Sequence, residues 1–520
     1  MQKPSFKNLN NYLLRFPKIT VFLSGGLAKF CFCKGLTVPF LFFPMIYVLL
    51  LNIQRPITNQ YIKSSFVLGY CFGLGYFGST LYWVAESFKC VGLGNYGYVA
   101  VMFLVAYLAV YTGLVTMLTK IFSKTKVDLL LIFSFFWVFM EYLRGIVFTG
   151  FPWNLAGYVT YDIPYFAQIA DIFGIYGVSL IFILIISLLT YKKTIISAVW
   201  ILVITLLYGY YKVEIYDGYI NPKDRNLVTV IQPSIPQEQK MDMRFLKDNI
   251  DKYIDISNTE EIYKGKKLVI WPEAAINIPI NNHQKILEYI GAGINHSDTF
   301  IVTGADRRGN GRELYNGLSV INKQSEIIQS YDKRHLLPFG EFIPEFLLNI
   351  GLRKVIPGTL NFSSGLEKRT IKIEGFEQFD AVICYEIAFP GEIVDDKESK
   401  WILNITNDSW FKDSDGPTQH LKIACFRAIE EGRAIARCAN NGISCIINCN
   451  GQITKELKTD EVGKINSIMP QKYCDTFFSK YHNNTILILL GLGIAFIRTR
   501  SRLHLLGLRI MFVRIRRKLF

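Results

Sequence analysis

The chain has 520 residues, 51% of them hydrophobic and 14% aromatic, and a formal net charge of +15. This composition excludes a disordered chain and a single soluble domain, and it predicts membrane segments joined to a globular part. Eight Lys or Arg residues and no acid lie from Arg498 to the end, so more than half of the excess charge sits in one tail. Beside an apolar segment, such a tail predicts contact with anionic lipid rather than nucleic acid.

Residues 1–18 read as a basic, cytoplasmic N-terminus. Residues 19–211 read as a membrane domain of seven spans: Ile19 to Gly35, Leu36 to Ile53, Ser65 to Ala85, Tyr96 to Leu118, Leu129 to Leu143, Phe166 to Thr190 and Thr194 to Tyr210. Most come near the ~20 residues needed to cross ~30 Å of hydrocarbon. The first two, with Lys34 between them, read equally as a hairpin of short spans or as one broken segment. Lys3, Lys7, Arg15, Lys18, Arg55, Lys63, Lys120, Lys124, Lys126, Lys192 and Lys193 fall on one side, against Lys34, Lys89 and Arg144 on the other. This asymmetry places the N-terminus inside and whatever follows Tyr211 outside the cytoplasm. The apolar start shows no small-residue cleavage site, so no cleaved signal is expected.

From residue 226 to 468 the pattern changes to short β-rich runs: Leu227 to Ile231, Lys267 to Ile270, Thr299 to Val302, Leu318 to Asn322, Asp380 to Cys384, Trp401 to Ile405 and Ser444 to Asn448. Helical stretches from Asp242 to Tyr253 and from Pro417 to Cys438 alternate with them, which predicts one α/β domain with a covered sheet. Residues 485–497 are apolar and predict a C-terminal transmembrane helix, although thirteen residues are short for one. Residues 498–520 would then be a basic cytoplasmic tail.

Three chemically capable residues each follow a strand: Glu273 after Leu268 to Ile270, Lys333 after Ile327 to Tyr331, and Cys384 after Val382 and Ile383. Strand ends can gather side chains from distant parts of a chain into one rigid cluster. A free thiol near pKa ~8.5 needs a base or a positive charge to become a nucleophile. Glu273 supplies the one and Lys333 the other, a division of labour suited to acyl transfer. Singly, each has a plain structural reading: a small core thiol, a solvated lysine, a carboxylate satisfied by a neighbour.

The runs Trp271 Pro272 Glu273, Tyr331 to Glu341 (YDKRHLLPFGE) and Ile383 Cys384 Tyr385 Glu386 resemble the Glu, Lys and Cys signatures of the nitrilase, or carbon-nitrogen hydrolase, superfamily. Within it they resemble the bacterial apolipoprotein N-acyltransferases. Glu141 to Arg144, Gly150 to Tyr158, Gly174 to Ser179, Asn404 to Phe411, and Arg433 through Asn440 Asn441 Gly442 extend the resemblance over nearly the whole chain. It implies a multi-span α-helical membrane domain, a nitrilase-like αββα sandwich and one C-terminal transmembrane helix.

It further implies an acyltransferase of the bacterial inner membrane with its catalytic domain on the periplasmic side. Cys384 would attack the sn-1 ester of a phospholipid, commonly phosphatidylethanolamine, and hold the chain as a thioester. The α-amine of the diacylglyceryl-cysteine of an apolipoprotein would then take it, in the last step of lipoprotein maturation. Glu273 would be the base, Lys333 the oxyanion partner and Glu341 a supporting acid, with Tyr385 and Glu386 flanking the nucleophile. Phe339, Trp410 and Phe411 would offer aromatic surface to acyl chains or simply pack. No cofactor, metal or nucleic acid is implied. The alternatives are a membrane-tethered nitrilase-type amidase acting on a small amide, and a non-catalytic membrane scaffold or transporter.

Lys240 Met241 departs from the family pattern, which has Trp after the Lys of that loop. Gly73 to Gly78 spells G-x-G-x-x-G, but inside a span it reads as close helix packing rather than a dinucleotide site. The cysteines lack paired C-x-x-C spacing, so zinc is not expected; disulfides stay open. His335 and His420 allow a Cys-His protease reading, although nothing places either as a base. Arg427 and Glu431 read as an i,i+4 pair on a solvated helix face.

Overall fold

A computed structural model describes residues 6–35, 38–54, 59–90, 92–215, 226–258, 265–294, 298–343, 361–411, 413–469, 475–497 and 499. Among the described residues, four helices are long and apolar enough to cross a membrane: Tyr96–Phe122, Lys126–Ile146, Ala170–Leu189 and Lys192–Glu214. A fifth, Asn59–Thr80, packs tightly on Tyr96–Phe122. A Cβ at Gly73 would lie 2.1 Å from the Thr112 hydroxyl, and one at Gly75 would lie 2.0 Å from the Phe22 carbonyl oxygen. The glycine run is therefore a site of close helix approach, as its setting in an apolar segment predicts.

The two expected spans nearest the N-terminus are broken short. Pro17–Gly26 has 10 residues and Phe42–Ile53 has 12. At 1.5 Å per residue each reaches roughly 15–18 Å, about half of the hydrocarbon thickness. The span expected from Phe166 is also interrupted, first after the short helix Pro164–Ala167 and then at Gly174, whose φ is 65° and ψ 179°. A Cβ there would meet the Phe478 ring at 2.3 Å. The second half-helix begins at Ile175, whose free N–H donates to Glu430 Oε1 at 2.6 Å, so a carboxylate caps its positive end. The C-terminal apolar helix is Asn484–Ile497. It rests with Gly493 against Phe135. The expected tail 498–520 lies, but for Thr499, outside the described residues.

Among the described residues twelve strands follow: β1 (Leu227–Gln232), β2 (Lys267–Ile270), β3 (Thr299–Arg308), β4 (Leu314–Ile321), β5 (Ile327–Asp332), β6 (Thr370–Ile371), β7 (Phe379–Ile383), β8 (Trp401–Thr406), β9 (Ala434–Ala439), β10 (Ser444–Ile447), β11 (Ile453–Leu457) and β12 (Gly463–Ser467). They form two six-stranded sheets in the orders β12-β1-β2-β3-β4-β5 and β11-β10-β9-β8-β7-β6. The β1-β2-β3 and β7-β8-β9 neighbours are parallel and the outer pairs antiparallel.

Period-2 alternation explains the layers. Leu268 and Ile270 of the first sheet face Ala381, Ile383, Leu403 and Ile405 of the second across one core. Val269 and Ile301 turn the other way, onto the helices Leu246–Asn258 and Gln284–Gly293. Val382, Ile402 and Ile435 turn toward the helix Gly416–Glu431, and that core continues without a break into the membrane helices. The result is an αββα sandwich whose fourth layer is pressed between a sheet and the bundle.

That burial overturns one reading. Arg427, Glu430 and Glu431 are each 0% exposed, and the partner of Arg427 is Glu430 at 2.9 Å, not Glu431. The face that looks solvated on an isolated helix is covered by Tyr158 and the bundle. The helix also stops at Glu431, where Gly432 takes a left-handed φ of 61°, and the residues expected to continue it form β9.

Candidate active site

The ends of the strands bring the three sequence-chosen residues together. Glu273 lies three residues beyond β2, after Trp271, whose N–H still pairs with Val302 O at 2.8 Å. Lys333 directly follows β5, its N–H held by Asn316 O at 2.9 Å. Lys333 is 1% and Glu273 6% exposed. Lys333 Nζ lies 2.9 Å from Glu341 Oε1 and 3.5 Å from Glu273 Oε1. Asn316 Nδ2 donates to both carboxylates, at 2.9 Å to Glu273 and 2.7 Å to Glu341. The other oxygen of Glu273 accepts the Asn407 N–H at 2.8 Å, and that of Glu341 accepts the Leu337 N–H at 2.7 Å. Burial alone would lower the Lys333 pKa, but Glu341 and then Glu273 outweigh it and hold the ammonium charged.

Cys384 directly follows β7 and has a φ of 52°, a left-handed conformation that costs a non-glycine residue roughly 1–2 kcal/mol. Glu386 braces this turn. Its Oε2 accepts the Ile383 N–H at 2.8 Å, and its Oε1 accepts from Tyr331 Oη at 2.8 Å, from the Arg334 N–H at 2.9 Å and from the His335 N–H at 3.1 Å. Arg369 Nη1 stands 2.9 Å from the same oxygen. Burial would raise the Glu386 pKa, yet Arg369 and the donors around it bring it below the usual carboxylate value. Burial pushes the Cys384 thiol upward; Glu273 adds to that shift and Lys333 opposes it. A thiol, a carboxylate and an ammonium in one dry site can form a thioester and stabilise the oxyanion on the way.

The membrane-side loop closes on this turn. Tyr385 Oη donates to Gly150 O at 3.2 Å, and His335 Nε2 lies 2.9 Å from Thr149 O. Arg144 Nη1 holds the same loop through Phe151 O at 2.9 Å and Trp153 O at 2.7 Å. Gln419 ties three membrane segments to the catalytic domain: its Oε1 accepts from Trp153, Trp83 and Asn154, and its Nε2 donates to Phe32 O and Thr80 O.

Residues 24–188 match the family model for the apolipoprotein N-acyltransferase N-terminal domain, and residues 227–468 match that for carbon-nitrogen hydrolases. An apolipoprotein N-acyltransferase of Brucella melitensis is 31% identical over 464 residues, 84% of this chain and 86% of the relative. Those of Rickettsia typhi and Rickettsia prowazekii are 32% and 33% identical, and each alignment takes in 91% of this chain and 96% of the relative. The chain belongs to the apolipoprotein N-acyltransferase family. Membership of this N-acyltransferase family covers both halves of the fold, the apolar helices and the sandwich.

The aromatic residues expected at an acyl-transfer site separate. Phe339 is 47% exposed on its loop, with a φ of 65°. Phe411 packs edge-on against Trp83 with ring centroids 4.7 Å apart, and the Trp410 carbonyl faces Cys90 Sγ at 3.9 Å. Sequence reasoning missed Asn316, Asn407 and Lys240, which surround Glu273. Asn316 stands two residues before the β-rich run read from Leu318, in the part of β4 that the run does not reach, and Asn407 directly follows β8, positions where a buried polar side chain needs a partner. Lys240 is 6% exposed and donates from Nζ to Glu273 O at 2.7 Å; desolvation lowers its pKa to about 7. Neither histidine is a base toward sulfur: His335 stacks on Phe389, with centroids 3.6 Å apart, and His420 reaches the carbonyl of Cys384, not Sγ, at 3.2 Å.

Proposed function

We propose that the protein transfers a fatty acyl chain from the sn-1 position of a phospholipid to the α-amine of the diacylglyceryl-cysteine of apolipoproteins, through a thioester on Cys384. Glu273 takes the thiol proton and the sulfur attacks the ester carbonyl. Lys333 and the Tyr385 N–H stabilise the oxyanion. The C–O bond breaks, the proton passes from Glu273 to the departing alkoxide, and a lysophospholipid leaves. The incoming amine then attacks the thioester, gives a proton to Glu273 and expels the Cys384 thiolate, which recovers that proton. Glu341 acts by holding Lys333 and Asn316 in place.

The observation that carries this reading is the buried ammonium of Lys333 between Glu341 and Glu273, with Cys384 fixed in a left-handed turn at the end of β7. Such a site lowers a barrier by preorganised electrostatics rather than by proton transfer alone. The basic residues of the loops support an orientation with the sandwich outside the cytoplasm, and the relatives' names support a lipoprotein acceptor; the proposal adds an inner-membrane location, phosphatidylethanolamine as donor and Asn484–Ile497 as a last crossing. The test is incubation of the purified protein with phosphatidylethanolamine of defined chains. Release of lysophospholipid with the sn-1 acyl mass on the Cys384 peptide is expected. Turnover of a small amide without lysophospholipid release would replace this reading with the amidase one.

A further inference from the structure

A buried polar cluster beneath the nucleophile turn has no part in the proposed reaction. His420, Asp408 and Arg437 are each at most 1% exposed, and they come from the helix Gly416–Glu431, the turn after β8, and β9. His420 Nδ1 lies 2.9 Å from Asp408 Oδ1 and 3.2 Å from Arg437 Nη2. Arg437 Nη2 also donates to Asp408 Oδ2 at 2.7 Å, and the Thr406 hydroxyl donates to Asp408 Oδ1 at 3.2 Å. Trp153 covers the imidazole, with ring centroids 5.4 Å apart. These contacts tie the three side chains to one another and leave Arg437 Nε without a hydrogen-bond partner. Arg437 Nη1 reaches out of the cluster to Asn404 Oδ1, and His420 Nε2 reaches the carbonyl oxygen of Cys384.

A carbonyl oxygen only accepts, so this contact is a hydrogen bond in the form of His420 that carries its proton on Nε2, where Arg437 Nη2 can donate to the bare Nδ1. The peptide between Cys384 and Tyr385 is trans and planar, and its C=O and N–H point in opposite directions. Holding the oxygen on the imidazole therefore sets the direction of the Tyr385 N–H. That N–H lies in the first turn of the 3₁₀ helix Cys384–Ala388, where backbone donors lack an intrahelical acceptor. Glu386 restrains the turn from the Ile383 side and His420 from the Cys384 side.

We propose that His420 is a positioning residue for acyl transfer, its Nε2–H holding the Cys384 carbonyl so that the Tyr385 N–H is aimed at the oxyanion. The proposal rests on Cys384 being the acyl carrier. His420→Gln places an amide N–H near Nε2 and keeps the bond to Cys384. His420→Asn places one near Nδ1 and keeps only the side toward Asp408. The measurement is the single-turnover rate of Cys384 acylation by phosphatidylethanolamine in mixed micelles, read by intact-protein mass at several lipid concentrations. His420→Gln is expected to stay within about fivefold of wild type and His420→Asn to fall about 100-fold at unchanged half-saturation, the scale of a misdirected oxyanion donor.

Equal rates in the two variants, the reverse order, or a loss confined to half-saturation would overturn the proposal. So would loss of the thermal transition in both variants, because the role assigned is not stability. Absence of an acyl mass on wild-type Cys384 would instead defeat the function proposed above; an acylated wild type with indistinguishable variants defeats only the role of His420.

Discussion

Replacing Lys240 with Met keeps the length and apolar stem of the side chain and deletes its buried amine. Desolvation brings this group from its ordinary 10.5 to about 7 in the folded protein, against weaker opposing pulls from Glu273, Cys438 and Cys384. Between pH ~7 and ~10.5 the unfolded chain therefore holds a proton that the folded protein has lost. The contribution of Lys240 to stability therefore rises across this window and is independent of pH below it.

At 1.36 kcal/mol per pH unit, this gap puts a ceiling of about 5 kcal/mol on what Lys240 costs near neutral pH. Its bond to Glu273 O returns about 1 kcal/mol. Lys240→Met is thus expected to be stabilised by up to ~4 kcal/mol near pH 7, and to lose that advantage as the pH approaches ~10.5. The assay is thermal unfolding of both proteins in detergent at about pH 7 and about pH 9.5, where groups common to the two cancel. The variant should be the less active one, with acylation about tenfold slower because the Glu273 carbonyl loses its donor. A variant that melts below wild type at neutral pH, or a difference that does not change with pH, would refute the reasoning.

Glu341→Gln removes the larger of the two charges that hold the Lys333 ammonium. The loss of a charged hydrogen bond of about 1.5–3 kcal/mol predicts roughly 10- to 100-fold slower thioester formation in a folded protein; an unchanged rate would remove Glu341 from the machinery. Gln419→Leu leaves the Trp153 indole N–H and the carbonyls of Phe32 and Thr80 without this partner. At about 1–3 kcal/mol for each buried group left unpaired, it should lower the melting temperature and open the domain junction to limited proteolysis. Gly174→Ala places a Cβ 2.3 Å from Phe478 in a conformation that glycine alone tolerates. Destabilisation of at least about 2 kcal/mol in denaturant unfolding is expected.

The catalytic domain was legible in the sequence wherever period-2 apolar runs end in a chemically capable residue. Lys267–Ile270 is read to the residue, and Glu273 and Lys333 converge as strand ends allow; Glu341, on the loop beyond Lys333, came only from the family resemblance. The helix Gly416–Glu431 was not legible as a buried one. A single helix face shows its apolar stripe toward one partner, whereas here a sheet covers one side and membrane helices the other, through contacts such as Glu430 with Ile175 that are 255 residues apart. Its end was missed because Arg433 to Cys438 continues a helical spacing of apolar residues past Gly432. The short N-terminal helices were legible only as one of two readings, because hydropathy records apolar residues and not the breaks among them. The bond from His420 to Cys384 left no local signal, since a backbone carbonyl is present at every position and only the fold selects this one.

The central claim is that Cys384 carries a fatty acyl group between a phospholipid and a lipoprotein amine. The most direct measurement isolates the acylated protein, strips it of phospholipid, and chases it with a diacylglyceryl-cysteine peptide bearing a free α-amine. The account predicts that the acyl mass leaves the Cys384 peptide and enters the acceptor as an amide, in equal amounts and without added lipid. An acyl mass that stays on Cys384, or an amide that forms only when phospholipid is restored, would contradict it.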